Sequence, residues 1–143
     1  TAWAQQYDEH TLQPRQARAF EPVAISGGES AGVLLLLMSL EQPPPDVVHA
    51  VEAGVAWYRR VQLSGLAIDV TADDRTVRAD PAAPPLWARF HEIGTNRPIF
   101  AGRDGVVRYD LAEIERERRA GYAWYGAWGA AVLERYADWS RRR

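Results

Sequence analysis

Residues 86–110, LWARFHEIGTNRPIFAGRDGVVRYD, alternate apolar and polar side chains between turn sequences. The alternation over residues 86–93 predicts a β-strand, and GTNRP at 94–98 predicts a turn. Residues 99–110 predict a β-hairpin whose turn lies at 103–105. Because strand patterns lie here within a chain that otherwise favours helices, this segment indicates an α+β fold.

Helical patterns precede this segment. Ser26 and Glu29 have the spacing of a capping box and stand before the apolar sequence AGVLLLLMSL. This arrangement predicts a buried helix over residues 28–40 that ends before a triple proline. An acidic residue at a helix N-terminus and valines on one face predict a second helix over residues 46–62.

The remaining segments predict one more hairpin and two more helices. Residues 65–81 alternate around two adjacent aspartates, as in a hairpin. Asp110 and Glu113 repeat the capping-box spacing and predict a charged helix over 111–119, and a final helix is predicted over 127–141. The sequence therefore predicts a helix-rich α+β fold of about four helices, two short β-hairpins and extensive irregular chain.

Length and composition limit what this fold contains. The 143 residues, of which 47% are hydrophobic, fit a single domain over residues 1–143. There is no cysteine, and His10, His49 and His91 are too scattered to suggest a zinc site. No apolar run is long enough to span a bilayer. The sequence begins TAWAQQYDEH, without an initiator Met or signal peptide, so we expect it to be a domain of a longer protein.

The charges are unusual in kind. The net charge is −2, which argues against nucleic-acid binding by counterion release. All 17 basic residues are arginine, which a GC-rich genome explains in large part. Arg18, Arg89, Arg97 and Arg103, however, lie beside aromatic residues or turns. Since guanidinium groups bind carboxylates in a planar, bidentate manner, a cluster of them suits a polyanion with regularly spaced carboxylates.

A structural interpretation of these arginines remains open at this stage. Arg18 has Glu21 within reach, and Arg89 has Glu92 or Asp104. The aromatic stretch GYAWYGAW at 121–128 has two interpretations as well, a platform for sugar stacking or core packing between the last two helices. The high density of aromatic rings favours packing.

Three segments carry a resemblance to a known family. QQYDEHTLQPRQARAFEPVAISGGESAG, AWYRRVQLSGLAIDV and WARFHEIGTNRPIFAGRDGVVRYDLAEIERERRAGYAWYG together resemble the C-terminal part of family 10 polysaccharide lyases, which are pectate lyases. The resemblance implies part of an (α/α) toroid. Those enzymes cleave polygalacturonate by β-elimination. In that reaction an arginine removes the C5 proton, calcium ions bridge substrate to aspartates, and further arginines bind uronate carboxylates.

The resemblance assigns roles to three arginines. Arg18 in QARAFEP resembles the catalytic base, and Arg89 in WARF and Arg103 in GRDG resemble the arginines that bind substrate carboxylates. Arg97 is a further candidate from its position in a turn. The calcium-binding aspartates of the family lie in the half that precedes this segment, and Asp8 does not match them.

Two single positions also depart from the family pattern. His91 stands where the family has Tyr, and Gly129 stands where it has Pro.

These observations predict a non-catalytic, secreted module that binds de-esterified homogalacturonan, the polygalacturonate of pectin. Binding would use Arg18, Arg89, Arg103 and Arg97, would require no cofactor, and would tether a covalently attached enzyme domain; no nucleic-acid or membrane partner is expected. One alternative is a pectate lyase with Arg18 as base and calcium as cofactor. A second alternative is a structural domain whose arginines pair internally.

Overall fold

The computed structural model describes residues 2–143, which form four α-helices and four antiparallel pairs of short strands. The helices are α1 (Gly27–Leu37), α2 (Pro45–Arg60), α3 (Arg116–Gly121) and α4 (Trp128–Arg141), with a 3-10 turn at Leu111–Glu113. The strands are β1 (Ile25–Ser26), β2 (Leu66–Val70), β3 (Arg75–Ala79), β4 (Trp87–Ala88), β5 (Phe90–His91), β6 (Phe100–Ala101), β7 (Val107–Arg108) and β8 (Tyr125–Gly126).

The predicted helix starts of α1 and α2 are confirmed. The Ser26 hydroxyl caps α1 by accepting the amide hydrogen of Glu29 at 3.3 Å. Helix α2 begins with Pro45 at its first position, where the missing amide hydrogen costs nothing. Asp46 in its first turn matches the positive end of the helix dipole, as predicted.

Helices α1, α2 and α4 pack against one another and enclose the larger of two cores. Leu34 of α1, Val51 of α2 and Val132 of α4 are completely buried, and Trp87 of β4 joins them. These contacts bury one face of α4. Together the three helices form a layer that we call the helical layer.

The second core is mainly aromatic and is built from irregular chain, strands and the 3-10 turn. Trp124 lies edge-on to Phe90 and Phe100, with ring centroids 6.1 and 5.8 Å apart. The prediction that GYAWYGAW packs in a core is confirmed; Trp124 packs mainly against these strand residues and donates to Arg118 of α3, and Trp128 packs against the helical core. Members buried in this second core are Phe20, Ala24, Phe90, Ile99, Phe100, Leu111, Ile114 and Trp124.

Both predicted hairpins are confirmed. Strands β2 and β3 pair from Leu66 with Ala79 to Val70 with Arg75, and β6 pairs with β7 around the turn at residues 103–105. Gly105 has φ +72°, which a residue without Cβ adopts readily.

The single strand predicted over 86–93 is wrong. It is divided at Arg89 into β4, which pairs with β8, and β5, which pairs with β1. The reason is a change of partner, because the Arg89 amide donates to the carbonyl of Trp124 at 2.7 Å while its carbonyl accepts from Gly27 at 2.7 Å. Distant segments make these bonds, so alternation alone did not indicate them.

The continuous charged helix predicted over 111–119 is also wrong. The capping box of Asp110 and Glu113 exists, but it begins a 3-10 turn of three residues. Ile114 then adopts an extended conformation, with φ −96° and ψ 161°, and buries its side chain in the second core. Helix α3 starts only at Arg116. Burial of Ile114 thus overrides the local helical preference.

Candidate functional site

Arg89 lies where the two cores meet, and the backbone bonds just described fix its position. Its side chain donates from Nε to the carbonyl of Ala123 at 2.8 Å and from Nη1 to Glu29 at 2.9 Å. Its guanidinium carbon lies 5.0 Å from the ring centroid of Tyr122 and 4.9 Å from that of Trp128, which are cation–π distances. The Arg89 side chain is largely buried, with 16% of its surface exposed.

The glycine pair before α1 allows this approach. A Cβ at Gly28 would lie 3.1 Å from Nη1 of Arg89, and a Cβ at Gly27 would overlap the carbonyl oxygen of Ala88. Sequence reasoning assigned this stretch only a capping role. The structure shows that it also makes room for Arg89 and for the strand that carries it.

The partner of Arg89 is Glu29 of the α1 N-terminus, so the predicted pairing with Glu92 or Asp104 is wrong. Glu92 instead accepts from Tyr109 and Thr95, and Asp104 pairs with Arg108. The contact spans 60 residues, which is why sequence proximity did not indicate it.

Arg18 and Glu21 form the pair that sequence proximity indicated. Nε and Nη2 of Arg18 donate to the two carboxylate oxygens of Glu21 at 2.8 and 2.6 Å. The Arg18 side chain is 65% exposed while that of Glu21 is 3% exposed. A buried carboxylate therefore positions a guanidinium that faces solvent.

Glu21 is held in its charged form. Arg18 is the main cause, and a hydrogen bond of 2.7 Å from the Tyr122 hydroxyl adds to it; together they lower the pKa of Glu21 to about 2. Conversely, the hydrogen bonds to Glu21 raise the pKa of Arg18 above its already high ordinary value. Burial, followed by the bond to Glu21, raises the pKa of Tyr122 to about 12.

Arg103 projects from the β6–β7 turn. Its Nε and Nη2 atoms donate to Glu117 at 3.0 and 2.8 Å, and the Arg103 side chain is 63% exposed. Glu117 also accepts from Arg118, and these two arginines lower the pKa of Glu117 to about 2, Arg118 contributing more. Arg118 in turn lies 4.6 Å from the ring centroid of Phe20.

A continuous series of contacts connects the three arginines assigned by resemblance. Arg89 and Arg18 both approach the Tyr122 ring, at 5.0 and 5.8 Å. Arg18 and Arg118 both approach the Phe20 ring, at 4.7 and 4.6 Å. Glu117 then joins Arg118 to Arg103. We call the side chains of Arg18, Arg89, Arg103 and Arg118 the arginine row.

Sequence reasoning missed Arg118, which the helix IERERR presented as one of several solvated charges. Only the contact with Phe20, nearly a hundred positions away, distinguishes it. Arg97 is separate from the row. Its guanidinium lies 3.7 Å from the ring centroid of Tyr109, and within residues 2–143 it shares no ion pair and no aromatic ring with the other four arginines.

Each of the three predicted arginines of the row retains free donors. A guanidinium carries five N–H groups. Arg18 and Arg103 use Nε and Nη2, so the Nη1 group of each has no protein acceptor among residues 2–143. Arg89 uses Nε and Nη1 and leaves Nη2 free within the same part of the chain. A second carboxylate can therefore bind each arginine without displacing the first.

Among the described residues, no site for a metal ion stands beside the arginine row. Residues 2–143 contain no cluster of three histidine, aspartate or glutamate side chains arranged to hold a cation. Asp8 accepts hydrogen bonds from Thr11 and pairs with Arg15 at 2.7 Å. The same residues include no helix long and apolar enough to cross a membrane.

Comparison with known proteins shows which family the chain belongs to. Residues 1–133 match the family model of the pectic acid lyases. The chain belongs to the pectic acid lyase family. This match confirms the resemblance seen in the sequence. No curated protein sequence matches it at a significant level.

Two solved structures of a family 10 polysaccharide lyase from Cellvibrio cellulosa resemble this chain. One has 36% sequence identity and a TM-score of 0.89, covering 97% of this chain and 43% of the other. The second is a mutant in complex with trigalacturonic acid; it has 37% identity and a TM-score of 0.85, with coverages of 93% and 42%. The homologue spans less than half the length of these lyases, and its α+β fold corresponds to that part.

Proposed function

We propose that this chain binds de-esterified homogalacturonan without cleaving it. The observation that carries the proposal is the arginine row, in which arginines already positioned by glutamates keep donors that no group among residues 2–143 accepts. The trigalacturonic acid complex of the Cellvibrio lyase supports the choice of ligand. Since each sugar of polygalacturonate carries one carboxylate, several arginines along one surface suit several consecutive sugars.

The pairing of Arg18 favours binding over catalysis. A catalytic base must lose its proton, and Glu21 stabilises the protonated guanidinium by two short hydrogen bonds that raise its pKa. Deprotonation of Arg18 is therefore more difficult here than for an arginine in water. Binding of a carboxylate, in contrast, requires the charged form that Glu21 maintains.

The lyase alternative remains testable with the same protein. It assigns proton abstraction to Arg18 and requires calcium on the substrate carboxylates, since cations acidify the C5 proton. Incubation with polygalacturonate and calcium would then release unsaturated product, and Arg18→Ala would abolish it. Product formed at the same rate by wild type and Arg18→Ala would rule out Arg18 as the base.

Binding is tested by isothermal titration calorimetry with trigalacturonate at low ionic strength. We expect saturable binding that Arg89→Ala weakens at least tenfold, because Arg89 is the least exposed of the three predicted arginines and offers a fixed donor. Arg103→Ala and Arg18→Ala should weaken binding as well. Arg60→Ala is the matched control, since Arg60 is exposed on α2 and has no ion pair within residues 2–143.

Two outcomes would overturn the proposal. One is wild-type protein that gives no heat of binding with trigalacturonate. The other is equal affinity in Arg89→Ala and Arg60→Ala. In either case the arginine row would be a set of internal ion pairs, as the structural alternative holds. Affinity should also fall as NaCl is added, because salt screens exposed charges.

The biological setting of the proposal follows from its ligand. Pectin is a polymer of the plant cell wall, so a protein that binds it acts outside the cell that made it. We propose that the chain anchors a covalently attached enzyme domain to pectin. The contribution of Arg97, which lies apart from the arginine row, is expected to be smaller than that of Arg89.

A further inference from the structure

A cleft of about 640 Å³ lies away from the arginine row, between the β2–β3 hairpin and the chain that follows β7. An adjoining cavity of about 280 Å³ shares Arg75, Leu111 and Tyr125 with it. The hairpin covers the cleft with an apolar face, because its register places Leu66, Ile68 and Val77 on the same side as Arg75.

Arg75 differs from the other two arginines that line the cleft. Arg78 donates to Asp69 and Asp80, and Arg119 forms a bidentate pair with Asp74. Arg75 donates from Nη1 to the carbonyl of Tyr122, and among residues 2–143 its guanidinium forms no ion pair within 4.0 Å, although its backbone amide donates to Asp74 at 2.8 Å. It is also partly buried. A guanidinium in this position lacks the counter-ion that its neighbours have.

A second cation without a carboxylate partner lies beside the cleft. Tyr109 lines the cleft, and the guanidinium of Arg97 lies 3.7 Å from the centroid of its ring. Among residues 2–143 Arg97 forms no ion pair within 4.0 Å. Arg75 is therefore the charge that would draw an anion into the cleft, while Arg97 lies against the Tyr109 ring near Glu92, which accepts from the Tyr109 hydroxyl.

The remaining lining indicates what kind of anion fits. The rings of Tyr109 and Tyr125 offer flat apolar surfaces of the kind that receive the CH face of a pyranose ring. Asp110 adds a carboxylate that can accept hydrogen bonds from sugar hydroxyl groups, whereas the alternation of β3 turns the Thr76 side chain to the face opposite Arg75. Asp110 already accepts the amide of Ala112 at 2.9 Å, so its position is fixed. A ring that carries both hydroxyl groups and one carboxylate matches this mixture better than an aromatic acid.

We propose that this cleft is a second uronate-binding site, in which Arg75 pairs with the carboxylate of a galacturonate residue. The inference rests on the proposed function for the identity of its ligand but not for its residues. Tyr122 separates the two sites, since its ring contacts Arg18 and Arg89 while its carbonyl accepts from Arg75. A protein with both sites holds two uronate segments at once and can bridge two pectin chains.

The test is a ¹H–¹⁵N NMR titration of the whole chain with trigalacturonate. Amides of Thr76, Ala79 and Ala112 report on the cleft, and those of Gly28 and Ala123 report on the arginine row. Both groups should shift with saturation, with two different dissociation constants. Arg75→Ala should weaken binding at the cleft at least tenfold and change the constant at the row by less than twofold, and Arg89→Ala should do the reverse.

A second variant distinguishes lost uronate binding from a lost fold. Arg75→Gln keeps an N–H donor for the Tyr122 carbonyl and removes the charge, so the hairpin stays attached while uronate binding is lost. Thr76, Ala79 and Ala112 amides that do not shift in wild type, or that lose their shifts in Arg89→Ala, would overturn the inference. Unchanged row shifts in Arg89→Ala, with cleft shifts lost in Arg75→Gln, would instead overturn the proposed function and leave the cleft assignment standing.

Discussion

The helical layer and the half that carries the arginine row are held together by different interactions. In the layer, Leu34, Val51 and Val132 are fully buried and pack in an apolar core, with a few polar contacts between the helices, such as the bond from the Tyr58 hydroxyl to the Gly27 carbonyl. In the other half, glutamates position arginines beside aromatic rings, and two of these arginines, Arg18 and Arg103, are largely exposed. Stability should therefore depend mainly on the first region and ligand binding mainly on the second, and each prediction below tests that division.

The largest effect is expected in the helical layer. Leu34→Ala removes a completely buried side chain between α1, α2 and α4 and should lower the free energy of unfolding by about 2–5 kcal/mol. Urea denaturation measures this change. Leu36→Ala on the same helix is the control, because Leu36 is 66% exposed and its loss should cost about 0.5 kcal/mol or less. Folded Leu34→Ala should still bind trigalacturonate with wild-type affinity.

A second pair of variants tests the contact between the two regions. Gly27→Ala places a Cβ against the Ala88 carbonyl and should destabilise the protein by about 1–3 kcal/mol, because the backbone on both sides must move. Gly32→Ala, in the same helix, meets nothing within 4 Å and should stabilise it by about 0.5–1 kcal/mol. Thermal melting measures both. Equal effects of the two substitutions would show that the backbone near Gly27 and Ala88 can move apart at little cost.

Acid should destabilise the half that carries the arginine row before it affects the helical layer. The folded protein lowers the pKa of Glu21 from its ordinary 4.5 to about 2, so the stabilisation by its charge is complete above pH about 5. This stabilisation should decline as the pH falls from 5 toward 2. Glu21→Gln should lower the melting temperature at pH 7 and flatten its dependence on pH in that window. A wild-type melting temperature that is constant from pH 5 to 2 would contradict this prediction.

The smallest effect concerns Arg118. Its guanidinium contacts Phe20 and Glu117, and its side chain is only 12% exposed. Arg118→Ala should weaken trigalacturonate binding by about threefold, roughly 0.7 kcal/mol, because Arg103 still pairs with Glu117. Calorimetry beside Arg89→Ala measures the difference. A loss as large as that of Arg89→Ala would move the centre of the binding surface toward α3.

Local sequence signals predicted the elements whose contacts are local. Helices α1, α2 and α4 and both hairpins have caps, prolines, glycines or alternation within a few residues of their ends, and these elements were found with small errors at the boundaries. The division of the strand at Arg89 and the break at Ile114 were not predicted. Both depend on backbone or core contacts with segments far away in sequence.

The candidate site divides in the same way. The pair Arg18–Glu21 lies three residues apart and was foreseen, whereas Arg89–Glu29 spans 60 residues and was not. The resemblance selected Arg18, Arg89 and Arg103 without showing how they are connected. In three dimensions, the rings of Tyr122 and Phe20 and the carboxylate of Glu117 place them in one series with Arg118.

Hydrogen exchange at the Gly27 amide measures how long α1 stays attached to the strand that carries Arg89. Its amide donates to the carbonyl of Arg89, and its carbonyl accepts from the Tyr58 hydroxyl of α2. Exchange of that amide with deuterium requires the strand bearing Arg89 to separate from α1. If this separation happens only when the whole chain unfolds, the Gly27 amide will exchange as slowly as the most protected amides of the helices. The backbone beneath the ligand would then persist as long as the fold itself.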